Sequence, residues 1–252
     1  MPVNKIHPKP ASAAPARKAK PPITGPVTQG VVLRTAIYDR ILQAVLEHRL
    51  PPATKLVEDK LAALFSTSRA QVRDVLARLA DEGVVTTIPN RGAFIASPSP
   101  EETREVFEAR RLIEPALVRW LIARRDPAAI ADLRRVIAEE EAARARQDRP
   151  TMVRLSGEFH IRLAEHAGNR MLERSMRALA TLTCLSIFLY DAPHATACRE
   201  DEHEVLLNAI ERRRADRAAQ LVLEHLNHIE ASLDLRPQRD IPVDLAQALQ
   251  AR

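Results

Sequence analysis

Apolar residues recur with helical spacing in three short segments near the start of the chain. The segments run from Val31 to His48, from Leu56 to Phe65 and from Ser68 to about Gly83. Their apolar positions are Ile37, Ile41, Val45 and Leu46 in the first, Val57, Leu61, Leu64 and Phe65 in the second, and Val72, Val75, Leu76 and Leu79 in the third. Spacings of three and four residues place each set on one helix face, so we expect three small helices around one core.

Local signals mark where these helices begin and end. Pro51 and Pro52 end the first, because proline lacks an amide hydrogen and disfavours helix in the residue before it. The dipeptide at 66–67 is long enough only for a turn. Ser68 followed by Gln71 is a capping box, which fixes the start of the third helix.

The pattern changes to β-branched residues after the third helix. Two short strands, 84–88 and 93–95, flank the turn Pro89-Asn90-Arg91-Gly92. Gly92 can adopt a positive φ there, and Arg91 lies at the tip. Apart from this hairpin we expect no β-structure, because the chain is rich in strong helix formers.

The order of helix, turn, helix and hairpin is that of a winged helix-turn-helix, which indicates DNA recognition. Residues in the first turn of such a second helix face the major groove, and a cation on the wing can reach phosphates or a narrow minor groove. A solvated helix face is the alternative explanation of the arginines. The candidate DNA-binding residues are Ser68, Arg69, Gln71, Arg73, Arg78, Arg91 and Gly92.

The rest of the chain has the pattern of a helical bundle. Helices are predicted at 101–125, 127–147, 151–167, 169–191, 196–212 and 214–234, with short connections that favour an antiparallel arrangement. We therefore divide the chain into a basic tail (1–29), a winged helix-turn-helix (30–97), a proline-containing linker (98–102), an all-helical bundle (103–235) and a C-terminal tail (236–252). The predicted fold is mainly α.

Composition narrows the class of protein. The 252 residues are 46% apolar with a net charge of +5, which fits two domains and is compatible with a polyanionic partner. Residues 1–29 hold too few large apolar side chains to fold, and could add phosphate contacts or be inert. Cys184 and Cys198 match no metal or disulfide pattern, and no apolar run is long enough for a membrane span, so we expect a cytoplasmic location.

Three histidines fall on three different predicted helices of the bundle: His160, His203 and His225. Spacing alone cannot show that they converge. Isolated histidines at helix surfaces or in the core are the simpler interpretation on that ground.

The stretch LPPATKLVEDKLAALFSTSRAQVRDVLARLADEGVVTTIPNRGAFIA resembles the DNA-binding domain of GntR-family regulators. The resemblance implies that Arg69 and Arg73 contact DNA and that Arg91-Gly92 forms the wing tip. Three departures stand out. Ala53 replaces glycine or another small residue, Phe65-Ser66-Thr67 replaces Leu-Gly-Val, and Ala70-Gln71 replaces Thr-Pro, which predicts an unusual operator.

The segments FEARRLIEPALVRWLI, SGEFHIRLAEHAGNRML and EDEHEVLLNAIERRRADRAAQLVLEHL resemble the FCD ligand-binding domain of FadR-type regulators, in its six-helix, VanR-like branch. This implies that the three histidines meet inside the bundle. Metal-binding members carry an aspartate one turn before the first histidine, where this chain has Ser156. A site of three imidazole ligands with a weak or vacant fourth coordination position favours a divalent transition metal, zinc or nickel, over magnesium or calcium.

In that domain a small carboxylate occupies the open metal position, so we expect a small organic acid as effector. Ser156 shares a helix face with His160 and borders the same space. Arg110 is a candidate to pair with the carboxylate, although a salt bridge to Glu114 explains it equally well. Asn169 is the third candidate, with helix capping as the alternative.

The leading hypothesis is a homodimeric transcription regulator, a repressor, that binds a palindromic double-stranded operator under effector control and is not an enzyme. A metal-dependent hydrolase would also use three histidines, but the sequence lacks His-Glu-x-x-His. A non-specific architectural DNA protein is the third alternative.

Overall fold

The computed structural model describes residues 26–190 and 201–235, with the backbone alone for 26–32. The basic tail up to residue 25, the predicted break at Pro193, Cys198, the first part of the predicted helix 196–212 and the C-terminal tail 236–252 lie outside this range. The helices are α1 (Pro26–Leu46), α2 (Glu58–Leu64), α3 (Arg69–Asp81), α4 (Pro100–Arg124), α5 (Pro127–Ala145), α6 (Arg149–Ala167), α7 (Arg170–Tyr190), α8 (Glu202–Glu211) and α9 (Ala215–Ser232). The strands are β1 (Lys55–Leu56), β2 (Val85–Ile88) and β3 (Gly92–Ile95).

The predicted winged helix-turn-helix is confirmed. The apolar stripes of α1 and α3 are buried, as is Leu61 of α2, and they share one core with the wing. The other predicted apolar positions of this segment are less buried, because α2 is only two turns long: Val57 and Phe65 are half-buried and Leu64 is 41% exposed. Helix α1 begins at Pro26, so residues 26–29 are helical and do not belong to the tail.

The wing has three strands where the sequence predicted two. Strand order is β1-β3-β2, all antiparallel, and β1 pairs Lys55 with Phe94 and Leu56 with Ala93. A two-residue strand shows no alternation that a sequence pattern could reveal. Gly92 has the positive φ expected of it, +97°.

The linker is shorter than predicted. Helix α4 begins at Pro100, because Ser99 and Glu102 form a complete capping box and proline is tolerated in the first turn. The signal Ser99-x-x-Glu102 is present in the sequence, but the prolines around it indicated a break.

The predicted bundle is confirmed within the described range, where α4–α9 account for its six helices. Helix α4 packs against α6, α7 and α9, while α5 packs against α6 and α8. The bundle has an apolar core of its own. The core of the winged domain is separate from it and continues onto the ends of α6, α7 and α9. In the part of the chain the structure describes, no helix is both long and apolar enough to cross a bilayer.

Two positions that depart from the GntR pattern have strained backbones. Ala53 and Ser66 stand where that pattern has glycine or a small residue, and their φ angles are +60° and +49°. This left-handed conformation costs a residue with a Cβ about 1–2 kcal/mol relative to glycine.

Ala53→Gly and Ser66→Gly are therefore each expected to raise the free energy of unfolding by about 1 kcal/mol, part of the strain relief being lost to the greater freedom of glycine in the unfolded chain. Chemical denaturation measures the change. Ala77→Gly, at an exposed position inside α3, is the control and should lower stability by about 1 kcal/mol. A loss of stability in all three variants would contradict the strain argument.

Candidate metal centre and nucleic-acid interface

The three histidines of the bundle come together in its interior. His160 lies on α6, His203 on α8 and His225 on α9, with exposed fractions of 1%, 4% and 2%. One ring nitrogen from each lies within 4.8 Å of the others. The structure thus brings together residues that are 22 to 65 positions apart in sequence, which spacing alone could not do.

Each of these imidazoles is hydrogen-bonded through Nδ1 to a glutamate carboxylate. Nδ1 of His160 lies 2.6 Å from Glu114, Nδ1 of His203 lies 2.8 Å from Glu140, and Nδ1 of His225 lies 2.8 Å from Glu202. A carboxylate accepts from Nδ1–H, so the neutral ring keeps its proton on Nδ1 and presents the Nε2 lone pair. This is the arrangement by which proteins orient metal-binding histidines.

The inward nitrogens are placed for a shared cation. Nε2 of His160 and Nε2 of His225 are 3.1 Å apart. Two lone pairs at that distance repel each other, whereas two ligands of a tetrahedral zinc ion lie about 3.3 Å apart. Nε2 of His203 is buried and has no hydrogen-bond partner among the described residues.

Electrostatics also favour a cation at this point. Burial lowers the pKa of His160 to about 4 and that of His225 to about 3, so both rings are neutral at pH 7. Burial opposes ionisation of Glu114, but the Arg110 guanidinium holds the pKa of that carboxyl at about 2. The pKa values of Glu140 and Glu202 are also below the usual range despite burial, chiefly through His203 and His225 respectively.

Three carboxylates and two guanidiniums, those of Arg110 and Arg144, therefore leave one negative charge around the histidines. A divalent cation together with one small anionic ligand would balance it, and an unbalanced charge at such a depth is costly. The donors fit zinc or nickel, since imidazole suits these ions and the hard cations magnesium and calcium prefer oxygen. Ser156 is buried one helical turn before His160 and offers at most a neutral hydroxyl.

The sequence did not identify the carboxylates as a set. Glu114 was considered only as a partner of Arg110, and Glu140 lies in an acidic run that is typical of a solvated face. Each carboxylate is 46, 63 or 23 residues away in sequence from the histidine that it contacts, so no local sequence pattern could predict these contacts.

Arg110 is 2% exposed and makes the predicted salt bridge, with Nε 2.6 Å from Glu114. Its Nη1 donates to Thr183 at 3.0 Å, while Nη2 is buried without a hydrogen-bond partner in the described structure. Asn169 caps α7, because its Oδ1 accepts from the amides of Met171 and Leu172 at 3.1 and 3.2 Å. The structure places Asn169 at a partly exposed helix start and gives it no contact with the histidines.

Helix α3 is capped at its N-terminus. Ser68 caps it by accepting from the amide of Gln71 at 3.3 Å, as predicted. The reciprocal half of the capping box is absent, because the Gln71 side chain accepts from the Thr67 hydroxyl. That local bond competes with the long reach back to the Ser68 amide.

The arginines of α3 form ion pairs within the protein. Arg69 pairs with Asp59, and Arg73 makes two bonds to Glu58, at 2.7 and 3.2 Å. Both arginine side chains nevertheless remain 67% exposed. The acidic partners are the first two residues of α2, which crosses α3 at this end.

Arg78 occupies a different environment. It lies near the C-terminal end of α3, stacks 3.7 Å from the centre of the Tyr38 ring and pairs with Glu82 at 3.2 Å. Helical rise puts it about 14 Å from Arg69 along the axis. These contacts hold Arg78 against Tyr38 of α1, away from the first turn of α3.

The wing carries one cation that the sequence did not single out. Arg91 lies 5.7 Å from the centre of the Phe94 ring, and Lys55 lies 5.8 Å from it. Lys55 reaches this place because β1 pairs with β3. Both cations are exposed at the wing and suited to phosphate contacts.

A capped helix with exposed arginines, next to a basic wing and joined to a bundle with a buried histidine centre, defines a winged-helix protein with a second, all-helical domain. Comparisons of the sequence agree. The model for "Bacterial regulatory proteins, gntR family" matches residues 33–95, and the FCD domain model matches residues 105–228. The chain belongs to the GntR family of transcriptional regulators, in the group that carries an FCD domain.

Individual relatives cover most of the chain. It is 24% identical to the regulator YdhC of Bacillus subtilis, over 76% of this chain and 86% of that one. It is 25% identical to the Nta operon transcriptional regulator of Aminobacter aminovorans, over 75% and 90%. These relatives are transcription regulators, and the hydrolase hypothesis gains no support from them.

Solved structures share the fold. A GntR regulator from Rhodococcus sp. RHA1 aligns with a TM-score of 0.67 at 22% identity, over 81% of this chain and 96% of that one. Escherichia coli McbR/YncC aligns with a TM-score of 0.68 at 17% identity, over 77% and 93%.

Proposed function

We propose that this regulator is a repressor that binds a specific palindromic operator as a homodimer, under control of a small carboxylate held in its bundle with the help of a divalent transition metal. The observation that carries the DNA-binding part is the exposed pair Arg69 and Arg73 in the first turns of a capped α3, next to the cations of the wing. An α-helix of this kind fits the major groove, and the wing then lies over the backbone.

Selection of bound fragments from random duplex DNA tests this part. A sequence-specific regulator enriches one inverted repeat and binds it at least 10³-fold more tightly than unrelated DNA at physiological salt. Equal binding of all duplexes would identify an architectural protein.

An unsatisfied polar group in the bundle supports an effector site. Ser156 shares a face of α6 with His160, and the Nη2 group of Arg110, which has no hydrogen-bond partner among the described residues, remains available to donate to an anion. A divalent cation with Arg110 and Arg144 gives four positive charges against the three glutamates, so one small anion would bring the site to neutrality. FCD domains often bind metals, which supports the same site.

The path from this site to the DNA-binding domain is short. Gly157, beside Ser156 on α6, packs so closely on α7 that an added Cβ would lie 3.0 Å from Sγ of Cys184. The carbonyl of Cys184 lies 3.1 Å from Nε2 of His48, just after α1, and His48 also packs edge-on against Phe188. A shift of α6 on effector binding would therefore reach the winged domain through α7.

An exposed apolar stripe on α4 supports dimerisation. Leu112 is 81% exposed and Trp120 is 42% exposed, and with Ala109 and Ala116 they occupy one face of the helix. GntR-family regulators generally bind DNA as dimers, and a second copy of this chain is the occupant that fits.

Leu112→Glu combined with Trp120→Glu is expected to convert the dimer to a monomer, because each subunit would bury two unpaired carboxylates at the interface. Sedimentation velocity at micromolar concentration measures the change. Val205→Glu, which alters an apolar residue 45% exposed on α8, is the matched control and should remain dimeric. A double variant that still sediments as a dimer would place the interface elsewhere.

A further inference from the structure

A cleft between α5 and α8 leads from the surface to the candidate metal centre. Its volume is about 180 Å³, and His203 with its carboxylate partner Glu140 lines it. Both are buried, with exposed fractions of 4% and 3%. Nε2 of His203 and Oε1 of Glu140 have no hydrogen-bond partner among the residues that the structure describes. The cleft thus contains a buried acceptor without a partner, Nε2 of His203, and a second one, Oε1 of Glu140, that has a long ion pair with Arg144 at 3.6 Å but no hydrogen bond.

The rest of the cleft is strongly acidic. Its lining includes four further carboxylates, those of Glu141, Asp201, Glu202 and Glu204. Arg144 is the cation in this lining, and it approaches Glu140 at 3.6 Å. A narrow cleft lined by one sign of charge focuses the field and concentrates the opposite ion at its mouth.

Two of these carboxylates have no evident structural role. Glu202 binds His225 and His228, and Glu204 pairs with Arg134. By contrast, neither Glu141 nor Asp201 makes an ion pair within the described ranges. Asp201 precedes α8 in the N-cap position, but its backbone is left-handed (φ +70°) and its side chain makes no capping bond.

We propose that this cleft is the entry route of the divalent cation, and that Glu141 and Asp201 collect the hydrated ion at its mouth. The inference rests on the metal centre of the proposed function. It assigns these two residues a role in metal uptake that is separate from coordination, since the three histidine nitrogens supply the ligands. The same field opposes entry of a free organic anion by this route.

Uptake of Co²⁺ by the metal-free, full-length protein tests the proposal, because cobalt absorbs visible light when it is bound by nitrogen ligands in a protein site. The double variant Glu141→Gln with Asp201→Asn is expected to take up Co²⁺ about 3- to 10-fold more slowly at low ionic strength. The final stoichiometry should be unchanged, because every ligand and its carboxylate partner is intact. High salt should remove most of the difference in rate.

Glu101→Gln with Glu108→Gln is the matched control, since it removes two exposed charges from α4 that do not line the cleft. Its uptake rate should equal that of the wild type. Unchanged uptake in the cleft variant, or equal slowing in the control, would overturn the entry route while leaving the metal centre in place. If the wild-type protein takes up no cobalt at all, that result would contradict both the proposed metal centre and the proposed entry route.

Discussion

Replacement of His160 and His225 by asparagine is expected to reduce bound zinc from one ion per chain to none. The asparagine amide can occupy the place of Nδ1–H and donate to Glu114 and Glu202, so the buried carboxylates keep a partner. The inward Nε2 lone pairs are lost, and with them two of three ligands. Replacement by alanine should abolish metal as well, but it would strand both carboxylates and cost about 3–5 kcal/mol of stability for each.

Elemental analysis and titration calorimetry of the full-length protein measure the result, with denaturation curves to show that the variant is folded. His166→Asn is the matched control, since this histidine lies on the same helix α6 but pairs with Asp132 outside the centre. A folded double-asparagine variant that still binds one zinc ion with wild-type affinity would exclude the site.

Arg73→Ala is expected to weaken operator binding by about 1–3 kcal/mol, a factor of roughly 5 to 150. The guanidinium has five N–H groups and gives two to Glu58, which leaves three for a base edge or phosphate. Glu58 also fixes the direction of the side chain, so part of the ordering cost is met before DNA binds. Loss of the exposed ion pair itself should have little effect on folding stability, because solvent screens it.

Fluorescence anisotropy with the selected operator, at several salt concentrations, checks this expectation. A phosphate contact predicts that the salt dependence falls by about one counterion, whereas a base contact predicts relaxed preference at one operator position. Arg104→Ala, an exposed arginine of the bundle, is the control. Wild-type affinity and salt dependence in Arg73→Ala would remove this residue from the interface.

The sequence predicted the winged domain well because its signals are local. The stripe from Val72 to Leu79 and the cap at Ser68 each depend on residues within about two helical turns, and the structure has both. Positive φ at Gly92 follows from the same kind of local rule. Ser99-Pro100 shows the limit of such rules, since a proline that starts a helix resembles one that ends a segment.

Long-range partners were beyond the reach of these patterns. The pairing of Arg73 with Glu58 depends on how two helices cross, and strand β1 exists only because β3 lies beside it. The carboxylates behind the histidines were missed for the same reason. The family resemblance indicated that the histidines meet, yet it gave no sign of Glu140 or Glu202, whose positions follow from the packing of α5 and α8 around α6 and α9.

The apolar core that runs from the winged domain onto the bundle has a practical consequence. Ile37 and Val45 of α1 belong to the same buried cluster as Leu185 and Ile187 of α7. Cutting the chain at the linker would divide this cluster and leave an exposed apolar surface on both fragments. Separately expressed halves should therefore aggregate, and the intact polypeptide should unfold in one cooperative transition that includes both domains.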